Sequence, residues 1–228
     1  MNKEIVRLKK VSKWYGGQRG LAKTTILNEI DFSLKAKEIV GLFAPSGSGK
    51  TTFLQIVGLL DTQIDGNVFV FGSKVATGND YKTSLIRRQK IGFVFQFHHL
   101  LQEFSAIENV IFPLLFEGVS RNAAIKKAIY LLQKVGMEDK LNNRPAELSG
   151  GEQQRIAICR AIINKPALLL ADEPTGNLDQ KTADSVMSLL IKLLKEDNLS
   201  AIIASHNPKV AEIVDRRIRI TDGKVSDF

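Results

Sequence analysis

Short apolar runs and longer helical patterns alternate along the chain and predict its elements. Alternation of apolar and polar positions predicts half-buried strands over residues 4–11 and 26–34. Five short apolar runs predict further strands at 38–43, 67–71, 91–95, 167–171 and 200–204. Helices are predicted at 51–60, 106–116, 122–136, 151–165, about 181–195 and after Pro208, and a hairpin around Asp222-Gly223. Strands that alternate with helices predict an α/β fold on a mainly parallel sheet, and the helical stretch from about 105 to 163 predicts an inserted helical subdomain.

Composition narrows the class of protein. Of the 228 residues, 44% are hydrophobic and 25% are charged, which excludes a collagen-like or largely disordered chain. The single cysteine, Cys159, excludes an internal disulfide and a Cys-rich zinc site, and we expect it to pack as a small apolar residue. We expect no transmembrane helix, because every apolar run is well short of about 20 residues. The first ten residues show no signal-peptide pattern.

The net charge of +8 is concentrated in one region. Residues 1–90 contain 15 Lys and Arg against 7 Asp and Glu, whereas residues 91–228 contain 17 of each. Such an excess is compatible with nucleic acid, anionic lipid or a phosphate-bearing ligand. No nucleic-acid-binding module is found, so we expect no nucleic-acid partner. An anionic membrane surface and a solvated surface without a partner both remain open.

The segment APSGSGKTT is the strongest local signal of function. It lies between a predicted strand and a predicted helix and matches the phosphate-loop template G-x-x-x-x-G-K-S/T, with Ala44 at the first glycine position. Small residues let backbone N–H groups converge on phosphate oxygens, Lys50 supplies a cation, and the Thr51 hydroxyl can ligate Mg²⁺. The alternative, a flexible turn with a stray lysine, does not account for the flanking elements. We expect Ala44 to have a negative φ. The predicted phosphate-binding residues are Ala44, Pro45, Ser46, Gly47, Ser48, Gly49, Lys50, Thr51 and Thr52.

Two further strand ends carry acid–base groups. Asp172 ends an apolar strand in ALLLADEPTGNLD, where it is suited to hold Mg²⁺, and Glu173 follows as a candidate general base. His206 follows another apolar strand and can hydrogen-bond a γ-phosphate. The alternatives are two solvated carboxylates and a structural histidine.

The run LSGGEQQR (148–155) offers a second helix N-terminus for an anion, or an ordinary serine N-cap. With this run the sequence resembles the ATP-binding cassette (ABC) ATPases over nearly the whole chain. LSGGEQQR resembles their signature motif. The other matching residues are Gln96 (Q-loop), Asp172 and Glu173 (Walker B), Asp179 (D-loop), His206 (switch histidine) and Tyr15 (adenine stacking, with Trp14 as the alternative).

The resemblance implies a RecA-like P-loop NTPase core with an N-terminal antiparallel β subdomain and an inserted α-helical subdomain. It implies one domain over 1–228, with 1–95 and 165–228 as the nucleotide-binding core and about 96–164 as the helical and signature subdomain. ATP and Mg²⁺ are the expected ligands, held between the two subunits of a homodimer. The implied catalytic residues are Glu173, His206, Lys50 and Gln96; the metal ligands are Thr51, Gln96 and Asp172; and the nucleotide contacts added to the phosphate loop are Tyr15, Ser149, Gly150, Gly151 and Asp179.

The segment FQFHHLLQEFSAIENVIFPLL (95–115) resembles lipoprotein-releasing ATPases of Gram-negative bacteria, the LolD type, notably in His98 and His99. This implies a peripheral subunit on the cytoplasmic face of the inner membrane. Two integral membrane subunits of the LolC/LolE type would contact it near Gln96–Leu101, and lipoprotein cargo would be handled indirectly. Two alternatives remain: the ATPase of an efflux transporter, and a cell-division cassette that regulates cell-wall hydrolases. The histidine pair favours lipoprotein release.

Overall fold

Two sheets organise the part of the chain that the computed structural model describes, residues 3–16, 22–61, 64–75 and 80–228. The antiparallel sheet has the order β2-β1-β4-β5, and the mainly parallel sheet has the order β10-β9-β3-β8-β7-β6. The strands are β1 Glu4–Tyr15, β2 Thr24–Lys35, β3 Ile39–Phe43, β4 Asp65–Val70, β5 Ser73–Lys74, β6 Ile91–Phe95, β7 Leu168–Asp172, β8 Ser200–Ala204, β9 Arg216–Thr221 and β10 Lys224–Asp227.

Seven helices join these strands within the described residues. They are α1 Lys50–Val57, α2 Asp80–Lys90, α3 Ala106–Phe116, α4 Arg121–Lys134, α5 Gly150–Ile162, α6 Gln180–Glu196 and α7 Pro208–Ile213. None of these helices is both long and apolar enough to cross a bilayer. The predicted α/β fold is confirmed, and β6, α3 and β8 have the predicted bounds.

Several element bounds differ from the prediction by a few residues, most of all β1, which continues to Tyr15 rather than ending at residue 11, and α5, which ends at Ile162 rather than at residue 165. The first helix ends at Val57 rather than at residue 60, because Gly58 follows as its C-cap. Helix α2 was not predicted from the sequence, because among its residues only Thr83 is buried and no apolar stripe marks it. The predicted hairpin is confirmed: β9 and β10 pair through Asp222 and Gly223, which both have positive φ, as a two-residue turn of this kind requires.

The parallel sheet separates two apolar cores. Side chains of successive strand residues point to opposite faces, so Leu168 and Leu170 of β7 pack with the antiparallel sheet and α1. Leu169 and Ala171 pack with the core that includes α3–α6. The helical segment between β6 and β7 therefore shares its core with one face of the sheet.

Helix α5 lies directly against β6. A Cβ at Gly92 would be 2.3 Å from the Ala161 carbonyl oxygen, so only glycine permits this approach. Cys159 is fully buried on the same helix, as predicted for a small packed side chain, and burial raises the pKa of its thiol. The boundaries 1–95, about 96–164 and 165–228 stay a prediction.

Candidate nucleotide site

The carboxyl ends of four parallel strands bring the predicted site residues to one edge of the sheet. Strands β3, β6, β7 and β8 run parallel and end at Phe43, Phe95, Asp172 and Ala204. In open α/β sheets, ligands bind beyond this edge. The phosphate loop, Gln96, Glu173 and His206 each follow one of these ends directly or by one or two residues.

The phosphate loop connects β3 to the N-terminus of α1. Gly47 and Gly49 have φ values of 77° and 101°, in the left-handed region that glycine adopts without strain. Ala44 is not among the residues with positive φ, as predicted. The Lys50 ammonium donates hydrogen bonds to the carbonyl oxygens of Ala44 and Pro45, at 2.8 and 3.3 Å. The loop thus encloses a lysine beside a free helix N-terminus, a combination suited to phosphate.

The first predicted metal ligands lie together. The Thr51 hydroxyl donates a hydrogen bond to Asp172 Oδ2 at 2.6 Å, although the two residues are 121 positions apart in the chain. A hydroxyl and a carboxylate oxygen are hard ligands of the kind that Mg²⁺ prefers, and both can bind it beside a nucleotide phosphate. The donor set at this edge therefore fits Mg²⁺.

Glu173 joins two other loops at the site. Its Oε1 is 3.5 Å from Lys50 Nζ, and its Oε2 is 2.9 Å from Nδ1 of His206. Its own φ is +47°, a conformation that is costly for a residue with a side chain, and its backbone N–H donates to the Ala204 carbonyl oxygen at 3.0 Å. These contacts hold the strained backbone in place and fix the carboxylate between the cation of the phosphate loop and the imidazole.

Gln96 is held by a residue that the sequence did not single out. Gln96 Nε2 donates to Asn177 Oδ1 at 2.8 Å, and Asn177 Nδ2 donates to the Gln96 carbonyl oxygen at 3.3 Å. A Cβ at Gly176 would be 3.0 Å from Gln96 Nε2. In the sequence, the one feature that points to Asn177 is its position between Glu173 and Asp179 in the segment ALLLADEPTGNLD.

Tyr15 lies on the antiparallel sheet near the phosphate loop. It pairs with Thr24, two residues before Ile26, and a Cβ at Gly49 would lie 3.0 Å from the Ile26 side chain. Its ring is 47% exposed, with the Lys13 ammonium 4.9 Å from the centroid. The alternative ring, Trp14, is half-buried and has the Lys23 ammonium 3.8 Å from its centroid. The exposed phenol is thus the better placed of the two for stacking on a base.

The signature residues lie against the start of α6. Ser149 caps α5 in a reciprocal box with Glu152, and Asp179 caps α6 by accepting from the Thr182 N–H. The hydrogen bond from the Ser149 N–H lowers the pKa of the Glu152 carboxyl. A Cβ at Gly151 would be 2.5 Å from Thr182 Cγ2. Across the described ranges, no hydrogen bond or ion pair joins the signature residues to the phosphate loop.

An apolar segment follows Gln96 at the surface. Phe97 and Leu101 are 66% and 47% exposed. The neighbouring groove has a volume of about 290 Å³ and includes Phe93 and Phe116. Residues 97–101, called the post-Q segment below, therefore combine exposed apolar side chains with an adjacent groove, which is typical of a binding surface.

Comparison with known proteins identifies the family. The family model for the ABC transporter matches residues 27–176. The chain is 51% identical over 201 residues to the lipoprotein-releasing system ATP-binding protein LolD of Ruegeria sp., covering 88% of each chain. It is 46% identical to the protein of the same name from Roseobacter denitrificans, covering 100% of each chain.

A solved structure agrees with this assignment. The ATP-binding cassette MJ0796, in a dimeric post-hydrolysis state with ADP and Pi, matches with a TM-score of 0.89 at 38% identity, covering 98% of each chain. The matching fold and the sequence relatives support nucleotide binding and ATP hydrolysis. The chain therefore belongs to the ABC transporter family and is an ATP-hydrolysing cassette of the LolD type.

Proposed function

We propose that this chain is the ATP-hydrolysing subunit of an inner-membrane transporter that releases lipoproteins for transfer to the outer membrane. ATP hydrolysis is supported chiefly by one observation: Glu173 contacts both Lys50 and His206, beside the Thr51–Asp172 pair. The relatives named as lipoprotein-releasing ATPases support the cargo, because they cover almost the whole chain at 46–51% identity.

Different residues of one chain bind the phosphates, hold the metal ion and accept the proton of the attacking water. The phosphate loop binds and orients the β- and γ-phosphates through its N–H groups and Lys50. Thr51, Asp172 and Gln96 would hold Mg²⁺, which supplies positive charge to the phosphate oxygens when bound. Glu173 accepts the proton of the attacking water, and His206 stabilises the charge that develops on the γ-phosphate. Tyr15 stacks on adenine, and Asp179 lies at the facing surface.

The second copy of the chain completes the site. Within one chain the signature residues make no hydrogen bond or ion pair with the phosphate loop over the described ranges, so Ser149–Gly151 do not complete the site of their own chain. A helix N-terminus capped by serine favours a phosphate. We infer a homodimer that holds two ATP molecules between phosphate loop and signature, as the dimeric cassette at a TM-score of 0.89 supports.

The membrane subunits dock near Gln96–Leu101. The exposed side chains of Phe97 and Leu101 support this placement, since neighbouring exposed apolar side chains are typical of a surface that a partner covers. Two integral membrane subunits of the LolC/LolE type fit this surface. They hold the chain at the cytoplasmic face of the inner membrane, and the cargo reaches it only through them.

The Glu173→Gln variant tests the chemical part of the proposal. Gln keeps the shape of the side chain but cannot accept the proton, so we expect turnover to fall by about 10²- to 10⁴-fold. ATP binding should persist, and the variant should accumulate as an ATP-bound dimer in size-exclusion chromatography. The control is Glu196→Gln, an exposed site at the end of α6. Near-normal turnover in Glu173→Gln would refute the general-base role.

Reconstitution tests the cargo. Proteoliposomes containing the chain, its two membrane subunits and a fluorescent lipoprotein should release the lipoprotein only with ATP and Mg²⁺. The Glu173→Gln complex should assemble and not release. A complex that hydrolyses ATP without releasing any lipoprotein, while exporting an amphipathic drug, would instead favour the efflux alternative.

A further inference from the structure

One arginine of α5 holds the backbone of the post-Q segment. Arg160 Nη1 donates to the His99 carbonyl oxygen and Nη2 donates to the His98 carbonyl oxygen, each at 2.7 Å. The two bonds use the planar fork of one guanidinium on two successive carbonyls, so they fix direction as well as distance. Burial lowers the pKa of Arg160, and its partners here are neutral oxygens, so this contact is a backbone anchor rather than an ion pair.

Further contacts hold the post-Q segment on either side of the Arg160 anchor. The His98 ring hydrogen-bonds the backbone of Gly150, the first residue of α5. The His99 ring makes an edge contact with Phe95 at 5.3 Å, and His99 itself has a φ of +48°. The fully buried Asn109 accepts from the Leu101 N–H at 2.8 Å and donates to its carbonyl oxygen at 3.1 Å.

The anchored segment therefore has two faces with different roles. Its backbone and the His98 ring face α5, whereas Phe97 and Leu101 project away from the protein surface. Helix α5 begins at the signature, and Arg160 lies ten residues beyond Gly150, which is about 15 Å along a helix axis. A force on the exposed side chains thus reaches α5 at its first turn and again near its end.

A second connection runs from the same segment to the ATP site. Gln96, directly before the post-Q segment, is bound through its side chain and its carbonyl oxygen to Asn177. This amide pair links the residue before the segment to the loop that follows Glu173. The two connections diverge, one toward the helical part and one toward the sheet edge.

We propose that Arg160 is a positioning residue that makes the post-Q segment and helix α5 one rigid body, so that a docked membrane subunit moves the signature residues Ser149–Gly151. The inference rests on the proposed docking near Gln96–Leu101. It adds that helix α5 transmits the movement of a docked membrane subunit to the signature residues, which contact the nucleotide held by the second copy of the chain. In this scheme Arg160 acts through the segment that it holds and does not contact the nucleotide; it also lines the groove beside Phe93 and Phe116.

The test compares Arg160→Lys and Arg160→Gln in the complex with both membrane subunits. The measured quantity is the ratio of the ATPase rate of the complex to that of the isolated chain. We expect this ratio to fall between about twofold and thirtyfold, the usual range for a residue that carries coupling. Gln should lower it more than Lys, because Lys still donates to one carbonyl oxygen but lacks the fork. The ATP affinity of the isolated chain should stay within about twofold of wild type.

Arg216→Lys is the matched control. Arg216 is also half-buried and its guanidinium donates to a backbone carbonyl oxygen, that of Ser33, but it lies on β9, away from the post-Q segment and the signature. It should lower the melting temperature as Arg160→Lys does and leave the ratio unchanged.

The outcomes separate the inference from the docking on which it rests. An unchanged ratio in Arg160→Lys and Arg160→Gln, or an equal loss in Arg216→Lys, would overturn the inference and leave the docking intact. If the wild-type complex shows no stimulation at all, the docking proposal fails and the inference fails with it. Should Arg160→Gln fail to fold, Arg160→Lys decides.

Discussion

At the scale of single residues, the site depends on a few side chains whose conformations the fold imposes. Glu173 has a positive φ that a residue with a side chain adopts only when its surroundings fix it, and here its carboxylate contacts Lys50 and His206. Lys50 is nearly buried, whereas the His206 side chain is 73% exposed. The site therefore has a fixed inner part and an accessible imidazole at its edge.

Replacing His206 by Ala separates its role from that of Glu173. The change removes a donor from the developing charge and leaves the phosphate loop intact, so we expect kcat to fall by about 10²-fold with little change in KM. Steady-state ATPase assays measure both constants. Lys209→Ala is the control, because Lys209 lies three residues away in the same region and pairs only at the surface with Asp184. Equal losses in the two variants would contradict a specific role for His206.

Among the elements, reciprocal caps fix the N-termini of two helices in the helical segment. Ser105 and Glu108 form a reciprocal cap on α3, and Ser149 and Glu152 form the same cap on α5. In both caps a serine N–H donates to the glutamate, which lowers the pKa of Glu108 and Glu152. The cap of α5 also holds the signature residues in the geometry of a helix N-terminus.

These caps predict a dependence of stability on pH. A carboxyl whose pKa is lowered by folding stabilises the protein above the ordinary glutamate pKa, and this contribution is lost as pH falls through the lowered value. We expect the denaturation midpoint of wild type to fall between about pH 5.5 and about pH 3.5, and to fall less in the double variant Glu108→Gln/Glu152→Gln, which keeps acceptors but cannot titrate. Urea unfolding followed by circular dichroism measures this.

The control for the caps is Glu212→Gln, since Asn207 rather than Glu212 caps α7. Its pH profile should follow wild type. Identical profiles for wild type and the double variant would mean that the caps do not titrate in this range.

At the scale of the whole molecule, the parallel sheet ties two cores into one cooperative structure. Alternate residues of β7 enter opposite cores, so neither core can open without disturbing the strand between them. Cys159, fully buried beside this sheet, reports on the opening of the whole structure.

The thiol of Cys159 should react only when the protein unfolds. Ellman's reagent should modify about one thiol per chain rapidly in guanidinium and very slowly in the folded protein, because the group is fully buried and its pKa is raised. In Glu173→Gln, ATP at 100 times its dissociation constant should slow the reaction by about 100-fold if global opening is required. A Tyr81→Cys variant, at a site 76% exposed, provides the fast reference. Rapid labelling of folded wild type would contradict a closed core around α5.

The strand pattern, the phosphate loop and the groups at strand ends could be predicted from the amino-acid order alone, because they depend on local spacing and on motif chemistry. The predicted bounds of β6 and α3 match the structure, whereas α2 was missed because it buries almost no apolar surface. Signature, Q-loop and switch residues were found as motifs, and their roles in catalysis stay predictions.

Contacts between groups that are distant along the chain are visible only in the folded structure. The 2.6 Å contact of Thr51 with Asp172 and the anchor from Arg160 to the carbonyls of His98 and His99 join residues 121 and about 60 positions apart. The strained backbone of Glu173 and the Asn177 partner of Gln96 likewise leave no periodic signal. Each depends on the pairing of parallel strands and the packing of α5 on β6, and a pattern read along the chain does not specify such contacts between distant segments.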